Sequence, residues 1–383
     1  MPEQRAYSGA ETLGALYESL PAGGDVLLVA GRDTYPACGL APELEAASEG
    51  RKLLRFADFS PNPQLEEVVR LREFVRGHGL ERFGAILAIG GGTAMDLAKL
   101  IKAFACGSVP GRDAIGQPPV EVWEIPLVAI PTTAGSGSEA TRFAVLYVGG
   151  TKFSIDHPAL RPEVCLLVPQ VLESLPDQVA AASGLDALCQ GIESYWSVHS
   201  TDESRHLASQ AIALTWEHLI EYVNRRTPGA CAAMSEAAHL AGRAINHTKT
   251  TAPHAVSYPI TSNFGVAHGH AVALILAALF PFNAGVSESD TLDQRGVEYV
   301  RARLGELYRM LGVEDAHAAR SAILGRIGEI GLATTLGDLG INGEPEIATI
   351  VSQGFNPARV NNNPRRLTEP ALTEILRQEV GGS

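Results

Sequence analysis

The sequence predicts two domains of different class: an α/β domain of nucleotide-binding type over residues 1–177 and an all-helical domain over residues 178–383. Three observations carry this. Short β-rich runs alternate with helical stretches as far as Pro169, and the strand signal fades after about Asp177. A buried-type strand, three glycines and a helix follow one another at Ala85–Lys99. The 383 residues are 45% hydrophobic and only 19% charged, apolar enough for a sizeable core, and at ~100–200 residues per domain the length suits about two domains.

In chain order, the strands of the first domain are VLLVA (Val26–Ala30), AILAIG (Ala85–Gly90), PLVAIP (Pro126–Pro131) and VCLLVP (Val164–Pro169). Continuous apolar runs of this length suit strands covered on both faces, as in a parallel sheet. Between the first two, Asn62–His78 carries Leu65, Val68, Val69, Leu71, Phe74 and Val75 at helical spacing. This β-α-β alternation defines the α/β class. In the second domain the helical segments are Gln178–Trp196, Ser200–Asn224, Met234–Asn246, His268–Asn283, Gly296–Leu311, Ala316–Ile330 and Pro370–Val380. Their breakers are Thr227-Pro228-Gly229, Pro253, Pro259 and the NNNP run at Asn361–Pro364.

The chain is acidic, with 30 basic and 43 acidic residues and a net charge of −13. A surface that tracks phosphates needs a basic patch, so the composition argues against nucleic acid. Only five basic residues are lysines (Lys52, Lys99, Lys102, Lys152, Lys249), so each lysine carries more weight than an arginine. No basic segment followed by an apolar run opens the chain, and no stretch of ~18 uncharged apolar residues is present to span a bilayer. Cys38, Cys106, Cys165, Cys189 and Cys231 are odd in number and widely spaced, without a C-x-x-C pair. Free thiols in a soluble, cytoplasmic protein are expected.

Gly90, Gly91 and Gly92 let backbone approach an anion without Cβ interference. Thr93 can cap the following helix, whose free N–H groups and dipole favour a phosphate. The turn reads either as a pyrophosphate cradle or as a tight strand-to-helix turn without ligand. It matches neither G-x-G-x-x-G nor the Walker loop. A second small-residue loop, PTTAGSGSEAT (Pro131–Thr141), follows the next strand, at the carboxyl end where α/β sheets bind ligands. Its hydroxyls, among them Thr132, Thr133, Ser136 and Thr141, suit phosphate or ribose oxygens. Two such loops at two strand ends favour a dinucleotide.

In SGLDALCQGIESYW, Asp186 and Gln190 are four apart and share one helix face. His254 and His268 follow. One carboxylate and two imidazoles suit Fe(II) or Zn(II), and Gln190 adds an amide oxygen. The alternative is a helix-capping aspartate with isolated structural histidines.

Together these motifs resemble the iron-dependent (group III) alcohol dehydrogenases along nearly the whole chain. The matching pieces occur in family order: FSPNP (Phe59–Pro63), GGGTAMDLAK, PTTAGSGSEAT, Lys152-Phe153, GLDAL and IES within Gly184–Ser194, His254, His268-Gly269 and NPRRL. The resemblance implies a Rossmann-like amino-terminal domain and a helical carboxy-terminal domain, the dehydroquinate synthase-like arrangement, with the active site in the cleft between them. It implies a divalent metal, reversible hydride transfer between NAD(P)H and a small aldehyde or ketone, and a homodimer.

Carried over by position, Gly91, Gly92 and Thr93 match the pyrophosphate turn, and Asp96 the aspartate beside the cofactor. Thr132, Thr133, Ser136 and Thr141 match the second cofactor loop, and Lys152 the cofactor-contacting lysine. Asp186, His254 and His268 match three metal ligands. Gln190 stands where the family usually has a fourth, histidine, ligand. Tyr258 stands where many members have a histidine near the substrate, which leaves Tyr258, His270 or water to carry the proton. Gly31 and Arg32 fall where NAD-preferring members place an aspartate; an arginine there leans the reading to NADPH, while the next residue, Asp33, could serve NADH. Gln190 with its flanks, TKTTAPHAVSYPIT, HGHAVAL and NNNPRRL resemble in particular the phosphonoacetaldehyde reductases of the family. A phosphonate needs a nearby cation; Lys249, Arg365 and Arg366 are candidates, with Arg142 behind them. The same fold also serves dehydroquinate-synthase-like lyases, and a dinucleotide-binding protein without catalysis is the third reading.

Overall fold

The computed structural model describes residues 4–9, 15–16, 23–47, 50–107, 119 and 121–381. The chain divides into two compact units, Met1–Leu175 and Pro176–Ser383. The strands of the first are β1 (Arg5–Ser8), β2 (Asp25–Ala30), β3 (Leu53–Phe56), β4 (Phe83–Gly90), β5 (Leu127–Pro131), β6 (Phe143–Val148), β7 (Thr151–Asp156) and β8 (Val164–Leu167). Six form a parallel sheet in the order β1-β8-β5-β4-β2-β3, and β6 and β7 pair as a separate antiparallel hairpin. The apolar runs in β2, β4 and β5 are buried, as expected for strands covered on both faces. Register then places the ligand loops: Gly90 pairs with Pro131, so the turn after β4 and the loop after β5 leave the same sheet edge side by side.

The helices here are α1 (Thr34–Ala37), α2 (Ala41–Ala47), α3 (Leu65–His78) and α4 (Gly92–Phe104). Helix α3 opens with a reciprocal capping box between Gln64 and Glu67 and buries Val68, Leu71 and Val75. Helix α4 is buried from Ala94 to Phe104. The short strands β1 and β3 and the β6–β7 hairpin are additions to the predicted elements. In β6 buried and half-exposed residues alternate, a period-2 signal weaker than a continuous apolar run.

The second unit is helical: α5 (Asp177–Trp196), α6 (Asp202–Arg225), α7 (Pro228–Thr248), α8 (Ala252–Phe264), α9 (His268–Ala284), α10 (Val297–Leu311), α11 (Ala316–Glu329), α12 (Glu344–Gly354), α13 (Pro357–Val360) and α14 (Glu369–Gly381). Helix α5 packs against α6, α7 and α9. Helix α9 is buried from Gly269 to Phe280, the mark of a core helix. It packs tightly on α5 at Gly269, where an added Cβ would lie 1.9 Å from the Ala182 carbonyl oxygen and 2.8 Å from the Asp186 nitrogen. Helix α8 corrects the sequence reading, in which Pro253 and Pro259 were breakers. Pro253 sits in the first turn, where a missing N–H costs nothing, and Pro259 is carried inside the helix. No helix of the described residues is long and apolar enough to cross a membrane.

Candidate metal centre and cofactor loops

Spacing on α5 places Asp186, Gln190 and Glu193 along one face. Helix α8 brings His254 in its first turn, and His268 is the first residue of α9. One ligand atom from each of Asp186, His254 and His268 lies within 4.8 Å of the others. Asp186 and His254 are buried, and His268 is half-buried. His254 Nε2 lies 3.1 Å from Asp186 Oδ1, and the His254 and His268 rings meet edge to face at 5.3 Å. Gln190 is buried and hydrogen-bonded to Asp186. One carboxylate, two imidazoles and a neighbouring amide converging in a buried spot fit a divalent cation of the iron or zinc type.

Glu193, absent from the predicted site, holds the site in shape. It is fully buried and takes hydrogen bonds from the Thr251 nitrogen at 2.9 Å, Thr251 Oγ1 at 3.0 Å and the His254 nitrogen at 3.4 Å. Its other oxygen bonds His254 Nδ1. That contact turns Nε2 toward Asp186, the carboxylate–histidine arrangement that orients metal ligands. Burial alone would lower the His254 pKa, but Glu193 and Asp186 outweigh it and push it up to about 10. Burial would raise the Asp186 pKa, yet His254, His268 and Gln190 hold it below its ordinary value. The two carboxylates therefore make a position that favours positive charge.

Tyr258 lies one turn beyond His254, and its ring stacks on His268 with centroids 5.7 Å apart. His270 is buried, its Nε2 donates to the Ala333 carbonyl at 2.6 Å, and burial lowers its pKa. That bond occupies Nε2 of His270, whereas the Tyr258 ring lies against the ligand His268. Arg365 departs from the anion role expected of it. Its Nε donates to Asp290 Oδ2 at 2.7 Å, its Nη1 to the Phe282 carbonyl at 2.6 Å, and its Cζ lies over the Phe282 ring. Arg366 is exposed, with its backbone nitrogen on Asp290. Lys249 is also exposed and closes α7 at φ 58°, ψ 178°, a conformation costly for any residue but glycine. Arg142 pairs with Asp156 in the other domain.

On the α/β domain, Gly90 turns at φ 153° and Gly91 caps α4 through its carbonyl, which accepts from the nitrogens of Ala94 and Met95. Thr93 is not the cap expected of it: it lies within the first turn, two residues past the cap Gly91, and its Oγ1 accepts from the Asn62 nitrogen at 3.2 Å. The two loops abut: a Cβ on Gly91 would lie 3.2 Å from Thr133 Oγ1, and one on Gly92 3.1 Å from Ser136 Oγ. The Thr132 nitrogen donates to the Gly90 carbonyl at 2.9 Å. A buried hub beneath them ties the second loop to α4. Lys99 Nζ donates to Ser138 Oγ, Thr141 Oγ1 and the Phe143 carbonyl, each at 2.9 Å. Asp96 accepts from Ser138 Oγ at 2.7 Å and from the Val145 nitrogen at 3.1 Å. Asp96 thus has both oxygens engaged within the protein, and it acts on the loop's shape. Burial raises its pKa against the pull of Lys99, Ser138 and Lys152, which places the half-buried Lys152 charge near the same hub.

Beside these loops a cavity of about 640 Å³ is lined by Gly31, Arg32, Asp58, Phe59, Gly91 and Thr93, among others. Exposed Arg32 donates to Asp58 Oδ1 at 3.0 Å, and Arg70 pairs with the other oxygen of Asp58 at 3.2 Å.

A phosphate-shaped pair of loops on one domain and a carboxylate–imidazole ligand set on the other are the equipment of a metal-dependent, dinucleotide-linked oxidoreductase. Comparison with known proteins narrows the class. The model of the family described as "Iron-containing alcohol dehydrogenase" matches residues 3–169, and that of "Fe-containing alcohol dehydrogenase family, C-terminal" matches residues 180–380. The chain belongs to the iron-containing alcohol dehydrogenases. It is 37% identical over 310 residues to the phosphonoacetaldehyde reductase of Streptomyces viridochromogenes, covering 77% of this chain and 76% of that protein. Among solved structures, sulfoacetaldehyde reductase from Bifidobacterium kashiwanohense in complex with NAD+ superposes with a TM-score of 0.85 at 29% identity, covering 99% of this chain and 98% of that one. The iron-containing alcohol dehydrogenase of Thermococcus thioreducens gives a TM-score of 0.89 at 26% identity, covering 99% of both chains. The protein is accordingly an oxidoreductase of alcohols and aldehydes that uses NAD(P) and a divalent metal.

Proposed function

We propose that the protein is an aldehyde reductase that converts phosphonoacetaldehyde to 2-hydroxyethylphosphonate with NADPH, and that it works as a homodimer. The observation that carries the reaction class is the convergence of Asp186, His254 and His268 within 4.8 Å. The likeness to the phosphonoacetaldehyde reductase of Streptomyces viridochromogenes supports the substrate. Asp186, His254, His268 and Gln190 would hold Fe(II) or Zn(II), which supplies Lewis-acid polarisation of the carbonyl while the dinucleotide supplies the hydride.

The chain's own residues do the rest. The nitrogens after Gly91 and the amino-terminal end of α4 receive the pyrophosphate. Thr132, Thr133, Ser136 and Thr141 border it, with Lys99 and Asp96 fixing their loop. Arg32 at the mouth of the cavity provides charge for a 2′-phosphate, which favours NADPH. Glu193 keeps His254 Nε2 turned toward Asp186. Tyr258, stacked on His268, passes the proton to the product oxygen.

The test is NADPH oxidation followed at 340 nm with phosphonoacetaldehyde, succinic semialdehyde, lactaldehyde and glyceraldehyde. The highest kcat/KM is expected for phosphonoacetaldehyde. Equal rates for charged and neutral aldehydes would overturn the substrate assignment, and no nucleotide consumption with any of them would overturn the reaction.

A further inference from the structure

We infer that Arg359, on the short helix α13, is the residue that reads the anionic head of the substrate. The inference rests on the anionic aldehyde proposed above and names the group that selects it. Arg359 is half-buried, and its Cζ lies 5.6 Å from the centroid of the Tyr258 ring. The same ring is 5.7 Å from that of the ligand His268. The two steps of 5.6 and 5.7 Å put the guanidinium at most about 11 Å from the His268 ring, a span that a two-carbon aldehyde, its anionic head and a charge-assisted hydrogen bond of ~2.8 Å can bridge.

Other arginines of the helical domain have carboxylate partners: Arg295 with Asp293, Arg303 with Glu306, Arg320 with Glu379 and Arg365 with Asp290. Among the described residues, no carboxylate pairs with Arg359. Its side-chain hydrogen bond goes to a neutral hydroxyl, Thr250 Oγ1, at 3.3 Å. One hydrogen bond leaves most of the five guanidinium donors available. A partly desolvated guanidinium without a carboxylate is a ready partner for a phosphonate, sulfonate or carboxylate, which its planar fork matches bidentately.

The position is braced. Asn362 Nδ2 donates to the Thr250 carbonyl at 2.9 Å, and Asn363 Nδ2 to Asn283 Oδ1 at 2.7 Å. The asparagine run after α13 thereby holds the helix carrying Arg359 against the segment that leads into α8. The strained backbone at Lys249 adjoins that segment. Lys249 itself is exposed, whereas Arg359 is the cation on the Tyr258 ring.

The experiment compares wild type with Arg359→Ala, Arg359→Gln and Arg359→Lys on phosphonoacetaldehyde and on propanal, and titrates 2-hydroxyethylphosphonate onto each protein calorimetrically. Arg359→Ala should raise KM for phosphonoacetaldehyde about 10- to 100-fold with little change in kcat, the loss expected for a hydrogen-bonded ion pair. Propanal kinetics should stay unchanged. Arg359→Gln, which keeps a donor for Thr250, should behave like Ala, and Arg359→Lys should recover part of the affinity by charge alone. Calorimetric affinity for 2-hydroxyethylphosphonate should fall in parallel. Equal losses on both aldehydes would show a merely structural role and overturn the inference, as would an unchanged KM ratio. A wild type that prefers propanal overturns the proposed substrate. It takes this inference with it only if 2-hydroxyethylphosphonate binds wild type and Arg359→Ala equally.

Discussion

Replacing Gly269 by alanine tests whether the contact between α5 and α9 assembles the metal site. The added Cβ would lie 1.9 Å from the Ala182 oxygen, 2.8 Å from the Asp186 nitrogen and 2.9 Å from Asp186 Cβ. Ordinary van der Waals contact begins near 3.4 Å. None of the three obstacles is a flexible side-chain end, so the helices must part by on the order of 1 Å. Overpacking of this kind costs roughly 1–3 kcal/mol, which for a domain of about 200 residues is a fall in Tm of roughly 2–10 °C. The larger effect falls on the ligands. Asp186 sits on one helix and His268 immediately precedes Gly269 on the other, while metal sites tolerate displacements of only ~0.2 Å. Metal affinity should drop at least as far as with loss of a supporting residue, about 10- to 100-fold. Competition with a chromogenic chelator gives the dissociation constant, and thermal melting gives the stability. A G269A protein with wild-type Tm and wild-type metal affinity would refute the argument that this helix contact sets the ligand geometry.

Glu193→Gln should weaken metal binding by about 10- to 100-fold in the same chelator assay, because His254 loses the carboxylate that orients it; undiminished affinity would count against that role. Lys99 predicts a pH dependence. Burial, opposed by Asp96 and Glu139, lowers its pKa from 10.5 to about 8. Below pH 8 the lysine is charged whether the chain is folded or unfolded. Between pH 8 and 10.5 the unfolded chain keeps a proton that the folded chain has released, so stability rises with pH across that window. Wild type should gain about 2 kcal/mol on Lys99→Met between pH 7 and 9.5 in urea unfolding of the full chain, and a flat difference would contradict the burial of a titrating ammonium.

Much of this was legible in the chain because the signals are local. A glycine turn directly after an apolar strand, and a hydroxyl loop after the next, fix two strand ends. Parallel register then puts Gly90 beside Pro131. Residue type and spacing make Asp186, His254 and His268 candidates, the motif resemblance singles them out from the other histidines, and the fold brings them together. Glu193 was also within reach. It stands seven residues after Asp186 on the same face, but an isolated glutamate reads as solvated until Thr251 and His254 are seen to enclose it. Helix α8 was hidden because proline was counted as a stop without regard to its place in the first turn. The cation beside Tyr258 was out of reach for another reason. Lysine scarcity pointed to Lys249 and motif position to Arg365, whereas contact between Tyr258 and Arg359 spans a hundred residues of chain that no local pattern records. Where Arg365 goes was equally invisible, since its partners Asp290 and Phe282 lie on other segments.

The composition of the paired loops has a consequence for how an acidic protein holds a polyanionic dinucleotide. Around Gly91 and Gly92 the groups on offer are backbone amides, hydroxyls and a helix end, while Lys99 beneath them is spent internally on Ser138, Thr141 and Phe143. Recognition by neutral dipoles at short range draws little on long-range attraction. It leaves the molecule's −13 charge compatible with an anion at this turn, while the charges nearby, Arg32, Arg70 and Asp58, pair with one another. On the proposed reading, phosphate contacts made at this turn depend less on ionic strength than those of anion sites assembled from surface lysines.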